Sequence, residues 1–339
     1  MRALSPGRWA AVLLSLSGLL AVVAALGLAS GPSGLAPSEV WEVLGGGGAG
    51  AAADIVLRIR LPRVVLAAGV GASLAVSGVL FQALLRNPLA DPFILGISGG
   101  AALGGILVLA FGAAVGLGQS AVPPAAFAGA VGATVLLFAV TGLGGSVSTT
   151  ALLLTGVVFN AFASAAIVFI ASLAGLAEGA SIFLWLIGNL SGGEIRLALW
   201  VGLFLAVGLA CALPLARGLN LLALGEEQAG QLGVEVERHK RVLLLATSLM
   251  VGAAVSVSGL VGFVGLIIPH LLRLVLGPDH RLLVPASALG GAAFLVLCDT
   301  AARTLLPGRE LPVGAITALL GGPLFLVLLR RHHRSVYAP

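Results

Sequence analysis

The chain has 339 residues, of which 59% are hydrophobic and only 9% charged, and its mean hydropathy is +1.14. A soluble domain carries roughly a quarter charged residues, so there is too little polar surface here to cover a water-soluble globule, and lipid must solvate the chain. The formal net charge of +5 fits basic loops at a membrane face rather than a nucleic-acid surface.

The apolar runs are continuous and lack the two-residue alternation of barrel strands, which predicts an all-α membrane protein forming one domain over 1–339. Ten spans follow in chain order, at about 9–29, 62–84, 93–111, 124–141, 151–173, 196–215, 241–258, 260–276, 284–302 and 313–330. The first run, Trp9–Ala29, follows Arg2 and Arg8. It is longer than the apolar core of a signal peptide, roughly 7–15 residues, so it reads as a transmembrane helix rather than a cleaved leader. The 49 glycines favour helices that pack closely in lipid. Between the seventh and eighth spans, Ser256–Gly265 is Gly-rich and can hold a short broken helix instead of a simple turn. Cys211 and Cys298 lie in apolar runs without metal spacing and read as buried thiols.

An even span count returns both termini to one side. Arg2, Arg8, Arg86, Arg217, Arg238, Lys240, Arg241, Arg273, Arg281, Arg330, Arg331 and Arg334 share that side, which the positive-inside rule assigns to the cytoplasm. Arg58, Arg60, Arg63, Arg196, Arg303 and Arg309 fall opposite. Three of these crowd into LRIRLPR, Leu57–Arg63. They read either as arginines snorkelling to headgroups or as a contact for an acidic partner.

The chain also echoes itself. Ala72–Pro88 reads ASLAVSGVLFQALLRNP and Ala253–Pro269 reads AAVSVSGLVGFVGLIIP. The two segments sit in spans two and seven, which cross in opposite directions, so the pattern predicts an inverted repeat of the transporter kind. One polar block interrupts the apolar sequence: RGLNLLALGEEQAGQLGVEVERHKR, Arg217–Arg241. There Leu221, Leu222, Leu224, Ala229, Leu232 and Val234 supply an apolar surface on a segment otherwise rich in Gly and Glu. A short amphipathic helix of this kind can lie in a groove of a soluble partner; the plain alternative is a solvated loop. His270 and Arg273 in PHLLR read as structural anchors, and Asp299 is spaced to pair with Arg303 along one helix.

Three blocks together carry a resemblance. They are Arg60–Ala101, the charged block with LGEEQAGQLGV at Leu224–Val234, and Ser258–Arg303 followed by ELPVGAITALLGGPLFLVLL at Glu310–Leu329. Together they resemble the FecCD-type permeases, membrane subunits of ABC importers for iron–siderophores, haem and vitamin B12. The resemblance implies a type II importer permease that works as a homodimer, with a cytoplasmic ATP-binding subunit and a periplasmic substrate-binding protein, in the bacterial inner membrane. It implies that Leu224, Gly225, Ala229, Leu232 and Gly233 form the helix coupled to the ATPase. It also implies a cytoplasmic gate of Asn87 and Leu89 with Thr149 and Thr150, where the family has a Thr-Ser pair. Arg60, Arg63 and Arg303 match arginines that receive glutamates of the binding protein, whereas Arg58 matches no family position. Asn160 and the glycines of the tenth span are pathway candidates by the same analogy. No metal or other cofactor is expected.

The residues admit other classes less well. An ion-coupled secondary transporter is compatible with the repeat, but it needs ionisable groups near the midplane, and the acidic residues here fall at span ends and in loops. An intramembrane enzyme lacks a nucleophile–base pair, an HExxH motif or paired carboxylates, and without a Walker A sequence the chain supplies no ATPase of its own.

Overall fold

The computed structural model describes residues 5–142, 148–306 and 308–336; Arg2 lies outside the described residues, and the side chains of Arg330, Arg331 and Arg334 lie outside them too. The first helix, α1 (Pro6–Ala29), starts at Ser5, whose hydroxyl caps the Arg8 N–H. After the short α2 (Pro37–Leu44) and α3 (Ala51–Ala53), seven residues of π-helix, Asp54–Arg60, lead into α4 (Leu61–Leu84). Pro62 explains the widening: it has no N–H, and its ring would clash with the carbonyl four residues back in a regular α-turn.

The remaining helices are α5 (Ile97–Phe111), α6 (Val122–Thr141), α7 (Thr149–Leu173), α8 (Leu176–Ile187), α9 (Ile195–Leu222), α10 (Glu226–Gln231), α11 (Val236–Ser258), α12 (Val264–Leu276), α13 (His280–Thr304) and α14 (Val313–Val336). Among the described residues, eight helices are long and apolar enough to cross a membrane. They match the first seven expected spans and the ninth. The eighth is the 13-residue α12 and the tenth is α14, apolar over Val313–Val327. The chain is a multi-pass membrane protein.

The helices of the internal echo are the two most enclosed. The apolar stretch that ends in α4 is 83% buried and that of α11 72%, against 17% for α1 and for α7. Glycine lets these backbones touch. A Cβ added at Gly71 would lie 2.2 Å from the Gly291 oxygen, and one added at Gly291 would lie 2.3 Å from the Gly71 oxygen, so α4 and α13 meet without intervening side chains.

The Gly-rich junction after α11 is a break rather than a turn. Gly259 adopts φ +65°, the chain leaves helical geometry, and it re-enters α12 through Phe263 at φ +69°. A bulky residue in that region is rare and strained. Other backbone meets the freed backbone groups: Asn189 N–H donates to the Ser258 oxygen at 2.8 Å, as an interruption inside a membrane bundle requires.

Candidate functional site

The functional residues expected from the sequence fall at the two ends of the bundle. At one end, α9 runs out at Leu222 and the chain turns through α10 into α11. Gly225 (φ +132°) and Gly233 (φ +87°) flank the six-residue α10, conformations that only glycine adopts freely. Glu226 and Glu227 fill its first turn, where negative charge suits the helix dipole. The Lys240 ammonium pairs with Glu226, so α11 holds α10 in place.

The expected apolar face divides here. Leu222 and Ala229 are buried at 3% and 0% exposure, and Leu221 and Val234 pack on the same core. Leu224 and Leu232 are exposed at 65% and 61%. Most of the apolar residues read as a partner surface therefore face home, because a one-and-a-half-turn helix must bury one side to be held at all. Leu224 and Leu232 alone among these six remain strongly exposed.

The turn after α4 lies beside this segment. Arg86 takes φ +50°, and the Asn87 side chain accepts from the Leu89 N–H at 2.9 Å, closing an Asx turn around Pro88 before Pro92. A polar cavity of about 500 Å³ connects these parts, lined by Arg86, Thr149, Gly225, Glu227 and Lys240 among others. Thr149 thus shares one space with the expected coupling segment, while Thr150 is exposed on the first turn of α7. Asn160, farther along α7, donates to the Phe93 oxygen at 2.9 Å. Its amide pins α7 to the 3-10 turn at Pro92–Leu95.

Groups that the sequence did not single out tie the same end together. The Asn220 oxygen accepts from His280 N–H at 2.9 Å, its amide donates to Asp279 at 2.8 Å, and the His280 ring lies 2.7 Å from that oxygen. The last turn of α9 is therefore fastened to the first turn of α13. Hydrogen bonds from Arg281 above all, with Asn220 adding to them against partial burial, hold the Asp279 carboxyl well below the usual carboxylate range. Arg273 donates to Gln82 at 2.9 Å, and Gln82 donates to the Leu266 oxygen at 3.2 Å. The anchoring role expected of Arg273 is thus a link between α12 and α4.

At the opposite end, the arginines expected to face a partner turn inward. Arg60, Arg63 and Arg303 are 3%, 5% and 4% exposed. Arg60 donates to the carbonyls of Leu28 and Ala29 at 2.6 and 3.1 Å, and to the Ser33 hydroxyl at 2.7 Å. Arg303 donates to the carbonyls of Gly27 and Ser30 at 3.1 and 3.2 Å. These oxygens sit where α1 ends; the helix leaves its last carbonyls without partners and concentrates negative potential there. Asp299 accepts from Arg63 Nε at 3.0 Å and from Arg303 Nε at 3.1 Å. The intrahelical Asp299–Arg303 pair expected from spacing is present, and Arg63 joins it from α4. Arg63 Nη1 also donates to Glu310 at 2.8 Å. The exposed arginine of the cluster is Arg58, 82% accessible and paired with Asp54.

Comparison with known proteins identifies the family of the chain as a whole. The family model of the FecCD transport family matches residues 19–331. The chain is 48% identical over 279 residues to the cobalamin import system permease protein BtuC of Halobacterium salinarum, covering 81% of this chain and 73% of that one. It is 45% identical over 290 residues to the hemin transport system permease protein HmuU of Yersinia pestis, covering 83% and 85% respectively. A solved structure of a metal-chelate type ABC transporter in an inward-facing conformation aligns with a TM-score of 0.82 and 32% identity, over 95% of this chain and 99% of that one.

Proposed function

The chain belongs to the FecCD transport family, and on that premise we propose that it is the permease subunit of an ABC importer for a metal chelate: a ferric siderophore, or the related cobalamin or haem. The observation that carries this reading is the α10 segment. A short helix between Gly225 and Gly233 is flanked by outward Leu224 and Leu232 and fixed to α11 through Lys240. It borders the cavity that also reaches Thr149 on α7 and Arg86 beside the Asn87–Leu89 turn. A soluble ATP-binding subunit that grips the two leucines can move this segment and, through the shared cavity, the end of α7. The chain supplies the path, and the partner supplies the energy.

The α10 end then faces the cytoplasm of a bacterial inner membrane, as the excess of basic residues on that side predicts. The opposite face receives a periplasmic substrate-binding protein. We also place a second copy of the chain against α7 and α14, so that the cargo path runs between the copies. Leu154, Phe162, Leu319 and Leu326 leave those helices with apolar surface exposed at 61–72%.

Transport in proteoliposomes decides the central reading. Uptake of labelled chelate that needs the ATP-binding subunit, internal ATP and the binding protein is expected. Uptake driven by a proton or sodium gradient and indifferent to ATP would instead show a secondary transporter.

A further inference from the structure

Charge in the arginine cluster is out of balance, and its accessible carboxylate contact is internal. Three buried guanidiniums meet two carboxylates, Asp299 and Glu310, with Arg60 bonded to carbonyls and a hydroxyl. The carboxylates differ in kind. Asp299 is 1% exposed and shared by Arg63 and Arg303 within the bundle. Glu310 lies on the connection between α13 and α14, its side chain is 41% exposed, and it holds Arg63 by Nη1. Arg60 and Arg303 spend donors on the end of α1. Arg63 is thus the member of the cluster whose carboxylate partner can leave for water without opening the helix contacts.

We propose that Glu310 is an internal stand-in for a partner's carboxylate: it covers Arg63 Nη1 on the free transporter and is displaced when an acidic side chain of the docking protein takes that position. This rests on reading the Arg60 end as the docking face. A guanidinium edge accepts one carboxylate for another with little change in geometry. The exchange therefore trades an internal contact for an intermolecular one, and the loop bearing Glu310 is released as the partner seats. Exposed Arg309, next to Glu310 in the chain, and exposed Arg196, three residues beyond the Gly193 that packs on Arg63, favour an acidic partner over a basic one at encounter.

The test uses the full chain in nanodiscs and two readouts. Phenylglyoxal, an arginine-specific reagent, is applied without any partner, and modification of Arg63, Arg60 and Arg303 is followed by peptide mass. Glu310→Gln is expected to speed Arg63 modification by about fivefold, the scale of a half-exposed ion pair, with Arg60 and Arg303 unchanged. Equal rates at Arg63, or a rise at all three arginines together, overturn the guard. The cognate binding protein is then titrated onto both forms. Tighter docking by about threefold to Glu310→Gln, with stronger salt dependence because the face has lost a negative charge, is expected; unchanged docking beside faster labelling overturns the exchange. If the binding protein fails to dock even on the unaltered chain, the docking face of the proposed function is wrong, and the labelling result stands apart from it.

Discussion

Asp299→Asn removes one charge from the arginine cluster and preserves its shape. The native carboxylate takes Arg63 Nε at 3.0 and 3.2 Å and Arg303 Nε at 3.1 Å, from a position 1% exposed. An amide keeps one acceptor and presents its NH₂ to the other guanidinium, so a donor meets a donor. Removing one partner of a buried ion pair costs about 3–5 kcal/mol. The carbonyls of α1 and Glu310 still screen the arginines, which sets the expectation at the lower end, about 3 kcal/mol. Unfolding in mixed micelles at rising SDS fraction, followed by tryptophan fluorescence, measures the loss. A cycle with Arg303→Met separates the pair from its surroundings, and the same Asp299→Asn change should cost at least about 1 kcal/mol less once Arg303 is gone. Asp299→Asn within about 0.5 kcal/mol of wild type, or strict additivity in the cycle, would refute the account of the cluster as a coupled buried network.

Other expectations follow from single contacts. Gly78→Ala places a Cβ 1.8 Å from the Gly265 oxygen; since backbone cannot yield there, thermal stability in detergent should fall by more than the about 1–3 kcal/mol of ordinary overpacking, while Gly132→Ala, with nothing within 4 Å, should be neutral or stabilising. Leu224→Ala with Leu232→Ala should weaken capture of the ATP-binding subunit by about tenfold or more in a pull-down titration without changing the melting curve. Ala229→Leu, at a position of 0% exposure, should lower the melting temperature itself. Because the Asp279 carboxyl is held below its unfolded range, the α9–α13 fastening contributes fully at neutral pH and is lost as pH falls through and below the ordinary carboxylate range. Asp279→Asn should flatten that acid limb of a stability–pH curve, and an unchanged limb would refute the assignment.

Hydropathy alone located the spans, because lipid demands long apolar segments wherever the chain crosses. Glycine content located the break after Ser258, where Gly259 and Gly262 announce non-helical backbone. The amphipathic α8 is also marked in the sequence: LAEGASIFLWLI sits between Gly175 and Gly188, too short for a span yet apolar enough to pack. What spacing could not give is direction. Whether Ala229 or Leu232 faces home depends on contacts with α9 and α11 that are not local in sequence. The inward turn of the arginines was hidden for the same reason, since Arg63 meets Asp299 and Glu310 across separations of 236 and 247 residues. Arg60 finds backbone carbonyls of α1, which no pattern of side chains marks.

Helix α13 is held at both extremities and touched in the middle. Asn220 grips Asp279 and His280 at one end, Asp299 and Arg303 engage Arg63 at the other, and Gly291 rests on Gly71 between them. At 1.5 Å per residue the bare glycine contact lies about 16 Å from His280 and about 12 Å from Asp299. Mechanically this is a beam packed along its length, with Leu283, Val284, Leu295 and Val296 buried, whose closest approach at the glycines is its fulcrum. A tilt of about 5° would swing its ends by about 1.4 and 1 Å, enough to carry hydrogen bonds near 3 Å past their working range at both extremities. The beam has one seat in which both clasps close, so a pull strong enough to open the clasp at Asn220 would loosen the arginines' hold on the far side of the membrane.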